Sequence, residues 1–153
     1  MRPGAFSQRG FLGPEESLQT VLAADARLLE ELGLSFDELA APLDRLLDAA
    51  EAAPGRSARV DGRFQVGVQV FTGFQICPWA ISPNQGQCTA GGGVTHASVE
   101  WRIENLLSGK ELTGPGLIVH LIRAHGFFEG PESPGRIDPR ALAEVLELGP
   151  FAR

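Results

Sequence analysis

The spacing of apolar residues changes twice along this chain. In "PEESLQTVLAADARLLEELG", Leu18, Val21, Leu22, Leu28, Leu29 and Leu32 mostly follow three-and-four spacing, which predicts a helix. Pro14 stands near its first position, Glu15 and Glu16 in its first turn, and Gly33 at its stop. A second helix is predicted over "SFDELAAPLDRLLDAAEA", where Ser35 and Glu38 have capping-box spacing. Pro42 lies inside that pattern and predicts a kink or a break. Joined at "GLS", the two make an antiparallel helical hairpin over residues 14–52, and "APGRSARVDG" reads as a linker. Two helices alone bury too little apolar surface to stand by themselves, so the hairpin is expected to cap the rest of the chain.

After the linker the period falls to two. In "RFQVGVQVF", Phe64, Val66, Val68 and Val70 alternate with Gln65, Gly67 and Gln69, the pattern of a half-buried strand. "HASVEWRIE" puts Ala97, Val99, Trp101 and Ile103 on one face and His96, Ser98, Glu100 and Arg102 on the other. Ser108–Gly109 suits a turn into a short return strand around Lys110–Thr113. Helical spacing then returns in "GPGLIVHLIRAHG", from Pro115 to Gly126, and in "IDPRALAEVLELGPF". The latter has Asp138 as its cap, Pro139 at its first position and Gly149 as its stop. The order predicts an α+β fold: a helical hairpin, a small antiparallel sheet, then two C-terminal helices. Residues 1–13 are expected to form an irregular arm and 14–153 one α+β domain, with the sheet and the candidate site in 62–153.

Charge sharpens this division. The formal net charge is −6. Residues 1–55 hold 4 Arg and 10 Asp/Glu, whereas residues 56–153 hold 9 basic and 9 acidic residues. An acidic chain disfavours general affinity for nucleic acid phosphates. No run of 18 apolar residues is present, so a membrane span is not expected. The opening "MRPGAFSQRGFLGP" has no continuous apolar run, so no export signal is expected and the cytoplasm is the expected compartment. There cysteines tend to stay reduced.

Two cysteines and three histidines carry the candidate chemistry. Cys77 follows the first strand and precedes Pro78; Cys88 ends an excursion rich in Pro, Asn, Gln and Gly. His120 and His125 lie on the third predicted helix, within the H-x₃₋₅-H range of zinc sites. Two thiolates and two imidazoles suit tetrahedral zinc, and a full Cys₂His₂ shell would be structural. Five helical positions leave the two imidazoles roughly 140° apart on an ideal cylinder, so the last turn is expected to loosen at Gly126. A second ligand set has His96 in place of His125. C-x₁₀-C is not a standard zinc spacing, so a Cys77–Cys88 disulfide, or packing residues without any metal, also stays open.

These segments carry a resemblance. Gln75-x-Cys77-Pro78, His120-Leu121-Ile122-x-x-His125-x-Phe127-Phe128-x-Gly130 and Arg136-Ile137-Asp138-Pro139 resemble a group of small uncharacterised bacterial proteins. The resemblance spans about residues 64–148 and implies that the cysteine and histidine segments act as one unit. It implies no activity. Gly135 departs from the group's pattern, which has an aromatic residue there.

Reaction machinery is sparse. There is no HExxH, no nucleophile elbow and no Walker loop, and "GGGV" at 91–94 reads as a flexible connector. A Cys77–His120 nucleophilic pair lacks an evident third residue. His96, Asn105 and His120 match the residue types of ββα-metal nucleases, but without a basic surface. The expected function is therefore a structural zinc site in a protein-interaction or accessory module, with metal-dependent hydrolysis or cysteine catalysis as the second choice. The partner is expected to be another protein, met by the acidic helices or by an apolar rim of Phe71, Phe74 and Trp79. Glu129 and Arg136 are expected to form a local ion pair, and Phe127 and Phe128 to pack on the core.

Overall fold

A computed structural model describes residues 11–82, 87–88 and 95–153; for 72–75, 80–82, 87 and 95–98 it describes the backbone. The chain runs α1 (Leu18–Leu32), α2 (Phe36–Ala52), β1 (Ser57–Val60), β2 (Phe64–Ile76), β3 (Ala80–Ser82) and β4 (Gln87–Cys88). It continues with β5 (Thr95–Asn105), β6 (Glu111–Pro115), α3 (Ile118–His125) and α4 (Pro139–Leu146). Strands β1, β2, β5 and β6 form one antiparallel sheet in the order β1-β2-β5-β6, and β3 and β4 form a separate two-stranded hairpin. The fold class is α+β, as the change of period predicts.

The stretch read as a linker holds a strand. Ser57–Val60 pairs antiparallel with Phe64–Gly67 across a turn in which Asp61 and Gly62 have φ of 54° and 68°. An Asp-Gly step is a strong hairpin signal, and it stands in the sequence as "VDG". It is masked by the edge composition, in which exposed Ser57 and Arg59 flank only two half-buried residues.

Local chemistry also shifts helix ends. Helix α1 begins after Ser17 rather than at Pro14, because Glu16 is engaged elsewhere. Its carboxylate accepts from the Gly13 N–H at 2.7 Å and the Glu132 N–H at 3.0 Å, fastening the arm to the loop after α3. Helix α2 has the predicted capping box, with Ser35 Oγ accepting from the Glu38 N–H and the Glu38 carboxylate from the Ser35 N–H. It runs through Pro42 without a break, held on both sides by buried Leu39, Ala40, Leu43, Leu46, Leu47 and Ala50. The hydrogen bond lost at proline is offset by that burial. Helix α4 ends at Leu146, short of the predicted Gly149, with Glu147 left-handed at φ 57°. Arg63 and Arg153 pair with the Glu147 carboxylate at 2.5 and 2.6 Å and hold it there.

Phe64, Val66, Val68, Trp101 and Ile103 form the inward face of the sheet, and the helices pack on it. Helix α1 packs chiefly on α4, and α2 on α3 and the β1–β2 edge. Val70, predicted to be inward, is 41% exposed. Phe127 and Phe128 are fully buried, as predicted. Arg136 makes its bidentate pair with Asp25 of α1, at 2.6 and 2.8 Å, and meets Glu129 through the backbone carbonyl at 2.8 Å. Among the described residues, no helix is long and apolar enough to cross a membrane.

Candidate metal centre

Three pieces of backbone meet at one corner of the fold. Cys77 directly follows β2, and Pro78 turns the chain into β3. In the β3–β4 hairpin Ala80 lies opposite Cys88, so the long excursion brings the second cysteine back beside the first. The third piece is α3, which carries His120 in its middle and His125 as its last residue. The last turn does not loosen: Gly126, left-handed at φ 60°, donates to the carbonyls of Ile122 and Leu121. A Cβ at Gly126 would lie 2.8 Å from Phe36 Cζ, so glycine serves both the turn and the packing. The two imidazoles nevertheless converge, with ring centroids 5.2 Å apart and planes at 80°.

The four side chains predicted as ligands are brought together. One ligand atom from each of Cys77, Cys88, His120 and His125 lies within 4.8 Å of all the others, so the cluster can hold a metal ion. Cys77 Sγ and Cys88 Sγ are 3.8 Å apart and lie 3.3 and 2.9 Å from His125 Nε2. The sulfurs are not bonded to one another, since a disulfide needs about 2.05 Å. Zinc–sulfur bonds of ~2.3 Å and zinc–nitrogen bonds of ~2.0–2.1 Å at tetrahedral angles imply edges of ~3.8 Å between sulfurs and ~3.5 Å between sulfur and nitrogen. The observed triangle matches the sulfur–sulfur edge and is somewhat tighter on the sulfur–nitrogen edges. Both sulfurs converge on this one Nε2, an arrangement in which three soft donor atoms face a common point.

Burial sets the protonation states. Cys77 and Cys88 are 1% and 2% exposed, and both histidines are half-buried. Burial pushes the Cys77 thiol up to about 12; the Trp79 backbone N–H opposes this and Cys88 adds to it. Burial, and then the neighbouring His120, hold His125 down at about 4. Near neutral pH His125 is therefore a neutral imidazole with a lone pair to offer. A high thiol pKa is the reverse of what a cysteine nucleophile needs, so the Cys77–His120 catalytic pair finds no support.

Trp79 is the residue that spacing does not reveal. Its backbone N–H bonds to Cys77, and its indole stacks on His125 with centroids 4.0 Å apart and planes within 9°. Phe127 meets the same indole in a T-shaped contact, with centroids 5.4 Å apart. A Cys-Pro-Trp step just after a strand is the only signal that would have pointed to it. Of the predicted apolar rim, Phe71 is 46% exposed, Trp79 is half-buried in this stack, and the Phe74 side chain lies outside the described residues.

The remaining candidates are placed differently. The His96 backbone pairs with Gln75, and its side chain lies outside the described residues, as does "GGGV". Asn105 is fully buried and organises the β5–β6 turn: its amide donates to the Val145 carbonyl, and its oxygen accepts from the Leu107 and Ser108 N–H groups. That employment removes it from a nuclease site. No protein-family model, curated protein or solved structure matches the chain.

Proposed function

We propose that this chain is a structural zinc protein in which Cys77, Cys88, His120 and His125 complete a closed tetrahedral shell, and that it serves as a protein-interaction or accessory module. The observation that carries the metal is the triangle of two sulfurs and one imidazole nitrogen at 3.8, 3.3 and 2.9 Å, with the second imidazole at hand. A soft, mixed sulfur–nitrogen donor set favours zinc over magnesium or calcium, which take oxygen. Four protein ligands leave no position for a reactive water, which favours a structural over a hydrolytic role. Bound metal of this kind contributes on the order of 10 kcal/mol of apparent folding energy. It would tie the β3–β4 hairpin to α3. Thiolates held this way accord with a reducing, cytoplasmic setting.

Cobalt(II) substitution tests the coordination. The protein refolded with cobalt should show intense tetrahedral ligand-field bands and thiolate charge transfer, both lost in Cys77→Ser with Cys88→Ser. Weak octahedral bands without charge transfer would overturn the ligand set.

A further inference from the structure

Cys77 and Cys88 are both free, both buried, and flank the β3–β4 hairpin at its two ends. Their sulfurs are 3.8 Å apart, whereas a disulfide needs about 2.05 Å. Bonding them asks for a closure of roughly 1.8 Å, shared between two rotatable side chains. The other two members of the cluster belong to a different element, since His120 and His125 ride on α3. The cluster as a whole therefore joins hairpin to helix, whereas a sulfur–sulfur bond would join only the two ends of the hairpin. Trp79 lies between the cysteines in the chain and stacks on His125 at 4.0 Å, so it spans the same junction. The other tryptophan, Trp101, is 1% exposed and donates its indole N–H to the Pro115 carbonyl at 2.8 Å, away from the sulfurs.

We infer that Cys77 and Cys88 form a peroxide-sensitive switch, in which oxidation closes the two sulfurs into a disulfide, expels the zinc and frees α3 from the hairpin. The inference rests on the zinc reading and adds regulation to that same site. One thiolate attacks a peroxide oxygen; the O–O bond breaks, one oxygen stays on sulfur as sulfenic acid, and the other leaves as hydroxide. The second thiolate attacks the sulfenic sulfur; the S–S bond forms, the S–O bond breaks, and a second hydroxide leaves. The two sulfurs give up two electrons. Peroxide takes them and, with two protons from solvent, ends as two waters. The zinc is left with two imidazoles and departs as the free ion.

Burial selects both the oxidant and the product. Sulfurs that are 1% and 2% exposed exclude a bulky oxidant such as glutathione disulfide, whereas hydrogen peroxide is hardly larger than water. His120, His125 and Trp79 are only half-buried, so solvent reaches the rim of the cluster. Once one sulfur is a sulfenic acid, its partner at 3.8 Å intercepts it before a second peroxide enters. That order favours the reversible bridge over the irreversible sulfinic acid.

Hydrogen peroxide added to the zinc-loaded full chain is the test, read by a chromogenic zinc indicator and by mass spectrometry. Trypsin leaves both cysteines in one peptide, 64–102, which has no internal Lys or Arg. The expected result is about one zinc released per chain, with that peptide lighter by two hydrogens. Tryptophan emission should move to the red as Trp79 leaves its stack, and dithiothreitol followed by zinc should reverse all three changes. Glutathione disulfide should act about tenfold more slowly or less. Cys88→Ser should form no bridge and carry Cys77 on to sulfinic acid. Should that variant fail to fold, the peptide map of the unaltered chain decides alone. Retention of zinc and both thiols, bridges between chains, or sulfinic acid as the main product of the unaltered chain would overturn the inference. A chain isolated without zinc overturns the zinc reading on which release depends, whereas a zinc-loaded chain that never closes the bridge overturns the switch alone.

Discussion

The two flanks of α3 hold the molecule together by different means. On one, Ile118, Leu121, Ile122 and the adjoining Phe128 are buried at 0% exposure. On the other, His120 and His125 face two cysteines, one just after β2 and one at the end of β4. The first flank is stabilised by apolar area, which any folded state of this chain would bury. The second adds four gathered ligand atoms to its apolar contacts, among them Trp79 stacked on His125. One flank is therefore expected to stand with or without metal, and the other to depend on it.

The largest effect should come from removing the metal. A strong chelator, or Cys77→Ser, should lower the thermal midpoint sharply, with up to about 10 kcal/mol at stake. Hydrogen exchange should show protection lost first at residues 77–88 and 120–127, while α2 and β5 hold. Uniform loss across the chain would erase the contrast between the flanks.

Phe128→Ala acts on the apolar flank and should cost about 3–5 kcal/mol in chemical denaturation. Zinc content should stay unchanged, so the same variant shows whether the flanks fail separately. A smaller effect is expected at the stack: Trp79→Ala should weaken zinc about 10–100-fold in a competition titration, and Trp79→Phe should recover most of it. Equal affinity in all three proteins would reduce Trp79 to packing.

The smallest effect is on pH dependence in the metal-free chain. His125 at about 4 lies below its usual 6.5, so stability present above 6.5 is lost as pH falls toward 4. Cys77 at about 12 lies above its usual 9.0, so stability present below 9.0 is lost as pH rises toward 12. Zinc should abolish the alkaline loss, because bound thiolates are already deprotonated, and should steepen the acid loss. Denaturation midpoints across pH, with and without zinc, read both arms.

Much of this was legible in the chain. The α+β order follows from the change of period, the α2 start from Ser35 and Glu38, and the helix stops from Gly33 and Gly126. The cluster was legible by residue type, since Cys and His are few enough that four of the five form it. What stayed hidden depends on distant partners. Ser57–Val60 reads as linker because only pairing with β2 makes it a strand. Glu16 reads as a helix start because one of the two amides it binds, that of Glu132, lies far along the chain. Arg136 finds Asp25, more than a hundred positions away, rather than the local carboxylate expected for it. Ideal helix geometry set His120 and His125 apart, and side-chain reach brought them together without unwinding the last turn.

The central claim is that four side chains from three separate backbone segments share one cation. Elemental analysis of the purified chain, never exposed to chelator, tests it most directly. About one zinc per chain, falling to near zero when both cysteines are replaced by serine, is the predicted result. A chain that is folded and metal-free as isolated, with a melting curve indifferent to added zinc, would contradict it.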